Sequence, residues 1–187
     1  VPRVFDVLRG RYEHALRTAL ESAAPEEHEA ITEGVRARFR ELLGGRLQSV
    51  AVGSAPCSEA TLEFMRLCFA GSRVSEGYGS TECGSITHND RVVAGVDVKL
   101  IDVPDLGYLT TDVPARGEIC VKTPHMISGY LGDPDSTSER FDEDGFFHTG
   151  DLGVRDPDGS VRVIGRCKNV IKLAQGEFVA PEAVETT

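Results

Sequence analysis

The run Ser75–Ser85, SEGYGSTECGS, concentrates groups that can hold a ligand. Gly77 and Gly79 flank Tyr78 and let the backbone approach a bound molecule closely. Tyr78 offers a flat apolar face on a polar loop. Ser80 and Thr81 supply hydroxyls for phosphate oxygens, and Glu82 supplies a hard oxygen ligand suited to magnesium. A ring, two hydroxyls and a carboxylate in this order suit a nucleotide carrying metal-bound phosphates. The same composition suits a Gly/Ser turn with a surface tyrosine, and the run is neither a GxGxxG nor a GxxxxGK loop.

Three further stretches carry chemistry. VGSAP, Val52–Pro56, is a Gly/Ser/Pro turn after a short apolar run, where ligands collect if the strands are parallel. In FFHTGDLG, Asp151 can accept two hydrogen bonds from a ribose diol, or bond its own backbone in an Asx-turn. No Ser or Cys stands near His148 as a nucleophile, so it reads as a structural or site-lining residue. In GRCKNVIKLAQGEF, Arg166, Lys168 and Lys172 can meet phosphate or carboxylate oxygens, or face solvent along a β-ribbon.

The elements that must position these groups follow from periodicity and punctuation. Val4, Leu8, Tyr12, Leu16 and Leu20 return on one face of a helix. A second helical run ends at Gly44-Gly45, a C-terminal stop. Leu47–Val52 reads as a strand, Ser58 as the N-cap of the next helix, and SRVSEGYG as a second strand, a strand–helix–strand unit with parallel strands. After about Ser85 the chain becomes short strands punctuated by Gly, Pro and Asp, with DPDG as a strong turn and DPDSTSERFDEDG as a short capped helix and loop. The fold class is α/β.

Composition narrows the options. The 187 residues are 40% hydrophobic and 27% charged, a globular profile. A net charge of −10 with no basic cluster argues against a nucleic-acid partner or an anionic membrane surface. No apolar run is long enough for a membrane span. The five scattered cysteines read as thiols of a reducing, cytoplasmic setting rather than disulfides or a zinc site.

Taken in order, GSAP, YGSTE, HTGDLG and GRCKNVIKLAQGEFV resemble the adenylate-forming superfamily of acyl-CoA synthetases, luciferases and peptide-synthetase adenylation domains. The resemblance covers nearly the whole chain. VPRVF, IDVPDLGYLTTDVPARGEICVK and KLAQGEFVAPEAVE narrow it to the adenylation domain of carboxylic acid reductases, with long-chain fatty acyl-CoA synthetases close behind.

The resemblance implies part of a large adenylation domain, a βαβ layer plus a distorted antiparallel β-barrel-like portion, and the start of a small C-terminal domain. The divisions would fall at 1–84, 85–165 and 166–187. It implies activation of a fatty or aryl carboxylic acid by ATP and Mg²⁺ to an acyl-adenylate, then transfer to CoA or a carrier-protein phosphopantetheine. Gly53, Ser54, Ala55 and Pro56 would line the adenine and acyl pocket, and Tyr78, followed by Gly79, would stack on adenine. Ser80 and Thr81 would contact phosphate or the substrate carboxylate, and Glu82 would hold Mg²⁺. Asp151 would bind the ribose hydroxyls of ATP or AMP, with Arg166 beside them. Lys168 matches the hinge of the small domain, and Gly176 and Glu177 the loop that approaches the thiol arm.

The superfamily's Ser/Thr/Gly-rich phosphate loop and its C-terminal catalytic lysine have no counterpart in these residues. The expectation is therefore an excised fragment, with the missing parts of a parent enzyme or a carrier domain as partners. A non-catalytic nucleotide- or acyl-binding module and one half of a split enzyme are the alternatives. The purified 187-residue chain is expected to give no ATP–pyrophosphate exchange at a normal enzymatic rate; robust exchange would sink that expectation.

Overall fold

The computed structural model describes residues 2–55, 57–172, 178, 179 and 181. They form two compact units, Val1–Glu76 and Gly77–Thr187.

The first unit packs three helices beside a strand. Helix α1 spans Pro2–Leu20 and α2 spans His28–Leu42; strand β1 (Ser49–Gly53) and helix α3 (Glu59–Cys68) follow. The helical stripe holds at its centre, where Tyr12 is buried and Leu8 and Leu16 pack against the core. Its N-terminal end differs: Val4 is exposed and Phe5 packs inward instead. The larger ring wins the core-facing position because it removes more apolar area from water. Tyr12, Phe39 and Phe64 pack as a ring cluster with centroids 5.2–6.5 Å apart.

The stops read from sequence have visible causes. Gly45 N–H donates to the Arg40 carbonyl and Gly44 N–H to that of Glu41. This is the paired C-terminal closure that needs positive φ, which both glycines supply. At the start of α3, Ser58 Oγ accepts the Thr61 N–H at 3.3 Å. Strand β2 (Arg73–Ser80) then leaves this unit as β1's hydrogen-bonded neighbour, and its Arg73 N–H donates to the Gln48 carbonyl.

In the second unit, the last residues of β2 pair antiparallel with β3 (Gly84–His88), which pairs with β4 (Arg91–Val92). Four more strands, β5 (Asp97–Ile101), β6 (Ala115–Lys122), β7 (Phe147–Arg155) and β8 (Val161–Arg166), form an antiparallel sheet in sequence order. The Gly- and Asp-rich turn between β7 and β8 is the shortest of the connections in this sheet, and antiparallel neighbours are what such a turn produces. The DPDG turn closes by a bond from Gly159 N–H to the Asp156 carbonyl, with Gly159 at φ +84°. The short helix α4 (Pro134–Arg140) is capped by Asp133, whose Oδ1 accepts the Ser136 N–H. Ile86, Ile119, Val121, Phe147 and Val161 form the centre of this unit's core. Strands β9 (Ile171–Lys172) and β10 (Phe178–Val179) pair antiparallel after β8. All five cysteines are thiols, and no described helix is long and apolar enough to cross a membrane.

Candidate nucleotide site

The stretch singled out first is a β-hairpin. Gly77–Ser80 belong to β2, Thr81–Cys83 make the turn, and Gly84 starts β3. The ladder pairs Tyr78 with Thr87 and Gly79 with Ser85, so its register slips between Tyr78 and Gly79. Gly79 is demanded by this slip: a Cβ there would overlap the Gly84 carbonyl oxygen. Gly79→Ala is expected to destabilise this unit by about 1–3 kcal/mol. A thermal melt of the chain checks it; an unchanged midpoint would mean that the hairpin does not need this close approach. The tip is held by Ser80 Oγ, which accepts the Cys83 N–H at 3.1 Å. Thr81 stands exposed at that tip.

Asp151 lies within strand β7, in an irregular stretch of it. Glu118 pairs with Leu152 while Cys120 pairs with His148, so β7 carries two more residues than β6 between those pairs. This differs from a turn between strands, and the reason is that side chains replace the missing ladder. Glu118 Oε1 accepts the Gly150 N–H at 2.9 Å, and Thr149 Oγ1 accepts the Asp151 N–H at 3.0 Å. The Thr149 hydroxyl itself donates to the Ile119 carbonyl at 2.8 Å. Gly150 takes φ +74° to complete the bend.

The bulge delivers the Asp151 carboxylate to two partners from distant parts of the chain. Tyr78 Oη donates to Oδ2 at 2.8 Å, and Arg166 Nε donates to Oδ1 at 2.6 Å. Asp151 is only 5% exposed, so its charge depends on these donors. Arg166 is the direct cross-strand partner of Asp151 in the β7–β8 ladder. Burial, and then the Asp151 carboxylate, push the Tyr78 phenol well above its usual pKa, so it stays a neutral donor.

Glu82 sits in the same hairpin. Its own backbone N–H is the largest influence holding its carboxyl below the usual range; burial opposes this, and the Tyr130 and Ser80 hydroxyls reinforce it. The Tyr130 Oη donates to Glu82 Oε1 at 3.0 Å, and the Glu82 carbonyl accepts the Ile127 N–H. The result is an ionised carboxylate on a fixed turn, chemically suited to a hard divalent cation. The Arg140 guanidinium also lowers the Glu82 carboxyl and donates to the His148 carbonyl at 3.2 Å.

Tyr130, Glu118 and Arg140 were not singled out from the sequence. Tyr130 had a usable signal, since Gly129 and Gly132 bracket it much as Gly77 and Gly79 bracket Tyr78. Of the other expected site residues, Gly53 ends β1 in the first unit, and Ser54 and Ala55 follow it exposed, with Ser54 at φ +71°. Lys168 is exposed in the single helical turn Cys167–Asn169 after β8. Pro56, Gly176 and Glu177 lie outside the described residues.

The sequence profile of a family described as AMP-binding enzyme matches residues 1–131. The chain is 42% identical over 160 residues to the peroxisomal long chain acyl-CoA synthetase 6 of Arabidopsis thaliana, spanning 79% of this chain and 23% of that protein. It is 40% identical over 190 residues to the carboxylic acid reductase of Mycobacterium tuberculosis, spanning 99% of this chain and 16% of that protein. Its fold matches the A domain of carboxylic acid reductase from Segniliparus rugosus, solved in complex with AMP and a co-purified carboxylic acid. That match has a TM-score of 0.85 at 39% identity and covers 100% of this chain and 29% of that one. The chain thus spans less than a third of each protein it is compared with here.

Proposed function

Because the chain belongs to the AMP-binding enzyme family, we propose that it is the nucleotide-holding part of an enzyme that converts a carboxylic acid and ATP to an acyl-adenylate. The observation that carries this reading is the buried Asp151 carboxylate, gripped by Tyr78 and Arg166. Each carboxylate oxygen retains a lone pair beyond the one these donors use, and a vicinal diol offers two hydroxyls to such a pair. The Tyr78 hydroxyl, anchored on Asp151, fixes the orientation of its ring, and a fixed ring presents one face for stacking on a purine.

The remaining roles extend from this anchor. Ser80 and Thr81 would donate to phosphate or to the substrate carboxylate. Glu82 would hold Mg²⁺, which when bound supplies positive charge where two anions must meet. Gly53, Ser54, Ala55 and Pro56 would line the adenine and acyl pocket. Lys168 would be the hinge, and the loop at Gly176 and Glu177 would meet the thiol arm. What the protein contributes is chiefly position: the attacking carboxylate and the α-phosphorus are held in line while hydrogen-bond donors spread the developing charge.

In the second half-reaction the acyl group would pass to a thiol. The acceptor is carrier phosphopantetheine if the parent is a reductase, and CoA if it is a synthetase. The reductase alternative is supported by the longer match, 99% of the chain against 79%. Co-expression with the parts of the parent protein that carry the phosphate loop and the C-terminal lysine tests the whole reading. Acid-dependent ATP–pyrophosphate exchange should appear in the reconstituted protein and not in the chain alone. Absence of exchange from the intact parent protein, across fatty and aryl acids, would overturn it.

A further inference from the structure

Three side chains at the β7 bulge are not used by the nucleotide reading as metal ligands, yet they converge. The donor atoms of Glu118, Cys120 and His148 all lie within 4.8 Å of one another. Two of them approach the same ring nitrogen: Glu118 Oε2 is 3.3 Å from His148 Nδ1, and Cys120 Sγ is 3.6 Å from it. One nitrogen carries either one hydrogen or one lone pair, so it cannot serve both neighbours well as hydrogen-bond partners. The oxygen contact is also longer than the usual N–H···O range of about 2.7–3.2 Å.

Both distances match something else. In a tetrahedral zinc site, bond lengths to sulfur, nitrogen and oxygen give ligand–ligand edges of about 3.6 Å for N···S and about 3.4 Å for N···O. We propose that Glu118, Cys120 and His148 form a binding site for a thiophilic divalent cation of the zinc class, with a fourth position open to water.

The chemistry of the donor set supports this assignment. A thiolate and a carboxylate together neutralise a divalent charge, as a half-buried site requires. Cys120 is fully buried, while Glu118 and His148 are partly exposed, so the cluster has a solvent-facing side. Glu118 Oε1 is already fixed by the Gly150 N–H, and the His148 carbonyl is fixed by Arg140. Such outer contacts orient ligands in metal sites. Nothing in the spacing of the chain announces the site, since Cys120 and His148 are 28 residues apart. The β6–β7 register sets them opposite one another.

The test uses the purified 187-residue chain and does not depend on adenylation. Titration with Co²⁺ as a spectroscopic stand-in should produce a near-ultraviolet thiolate-to-cobalt charge-transfer band that saturates at one ion per chain. Zn²⁺ should displace it. Cys120→Ser should abolish the band, and Cys57→Ser, in the other unit, should leave it unchanged. His148→Gln and Glu118→Gln alter partly exposed groups, and each should weaken Zn²⁺ binding by at least about 10-fold with an unchanged far-ultraviolet circular dichroism spectrum. A folded chain that shows no band overturns the proposal. So does a band that persists in Cys120→Ser, or Zn²⁺ affinity that ignores both His148→Gln and Glu118→Gln.

Discussion

Glu82→Gln, introduced into the intact parent protein, is expected to lower kcat for adenylate formation by roughly 10²–10³-fold. The substitution keeps the shape of the side chain and an oxygen to accept the Tyr130 hydroxyl, so the hairpin tip should survive. What it removes is the negative charge that the turn holds in place. In the wild-type chain the Glu82 carboxyl titrates below its ordinary range, so it is ionised throughout the neutral region. The loss should therefore not be rescued by raising pH, and the Mg²⁺ concentration needed for half-maximal rate should rise. Mg²⁺ titrations of ATP–pyrophosphate exchange measure both quantities. An unchanged rate and unchanged Mg²⁺ dependence would remove Glu82 from the metal-holding role.

Asp151→Asn in the same parent protein should weaken AMP binding by about 10- to 100-fold, the range for losing hydrogen bonds to a charged acceptor. The amide must direct its oxygen to Arg166, which can only donate. Its NH₂ then faces Tyr78, whose hydroxyl can reverse from donor to acceptor. The local network therefore persists with one polarity reversed, and the fold is expected to stand. Ribose hydroxyls approaching the substituted side meet donors where the wild type offers an acceptor. Calorimetric titration with AMP, alongside a thermal melt, separates the two effects. If affinity holds while stability collapses, Asp151 is a packing residue and the diol reading fails.

Much of the fold was legible because it rests on local rules. The Gly44-Gly45 stop, the Ser58 cap, the Asp133-capped helix and the DPDG turn each close through bonds within a few residues. The misread positions were set by competition beyond the local window. Val4 had the right helical spacing but lost the core to Phe5. The Thr149–Asp151 segment has the composition of a turn, yet it stays within a strand because Glu118, some 30 residues away, satisfies the amide that the ladder leaves open.

The same division runs through the candidate site. The sequence by itself determined which groups are present and in what order: the ring, hydroxyls and carboxylate of Tyr78–Glu82, the glycine that the register slip requires, and an aspartate beside a second glycine. Those are properties of side chains and of φ freedom, and they travel with the residue type. Only the tertiary structure decided that Asp151 is buried and bridged by Tyr78, 73 residues away, and by Arg166, 15 residues away. It alone set Tyr130 against Glu82 across 48 residues and His148 against Cys120. Strand register makes the Asp151–Arg166 and Cys120–His148 pairings, and register is fixed by the collective burial of one sheet face; the Tyr78–Asp151 and Tyr130–Glu82 bonds join segments that share no ladder.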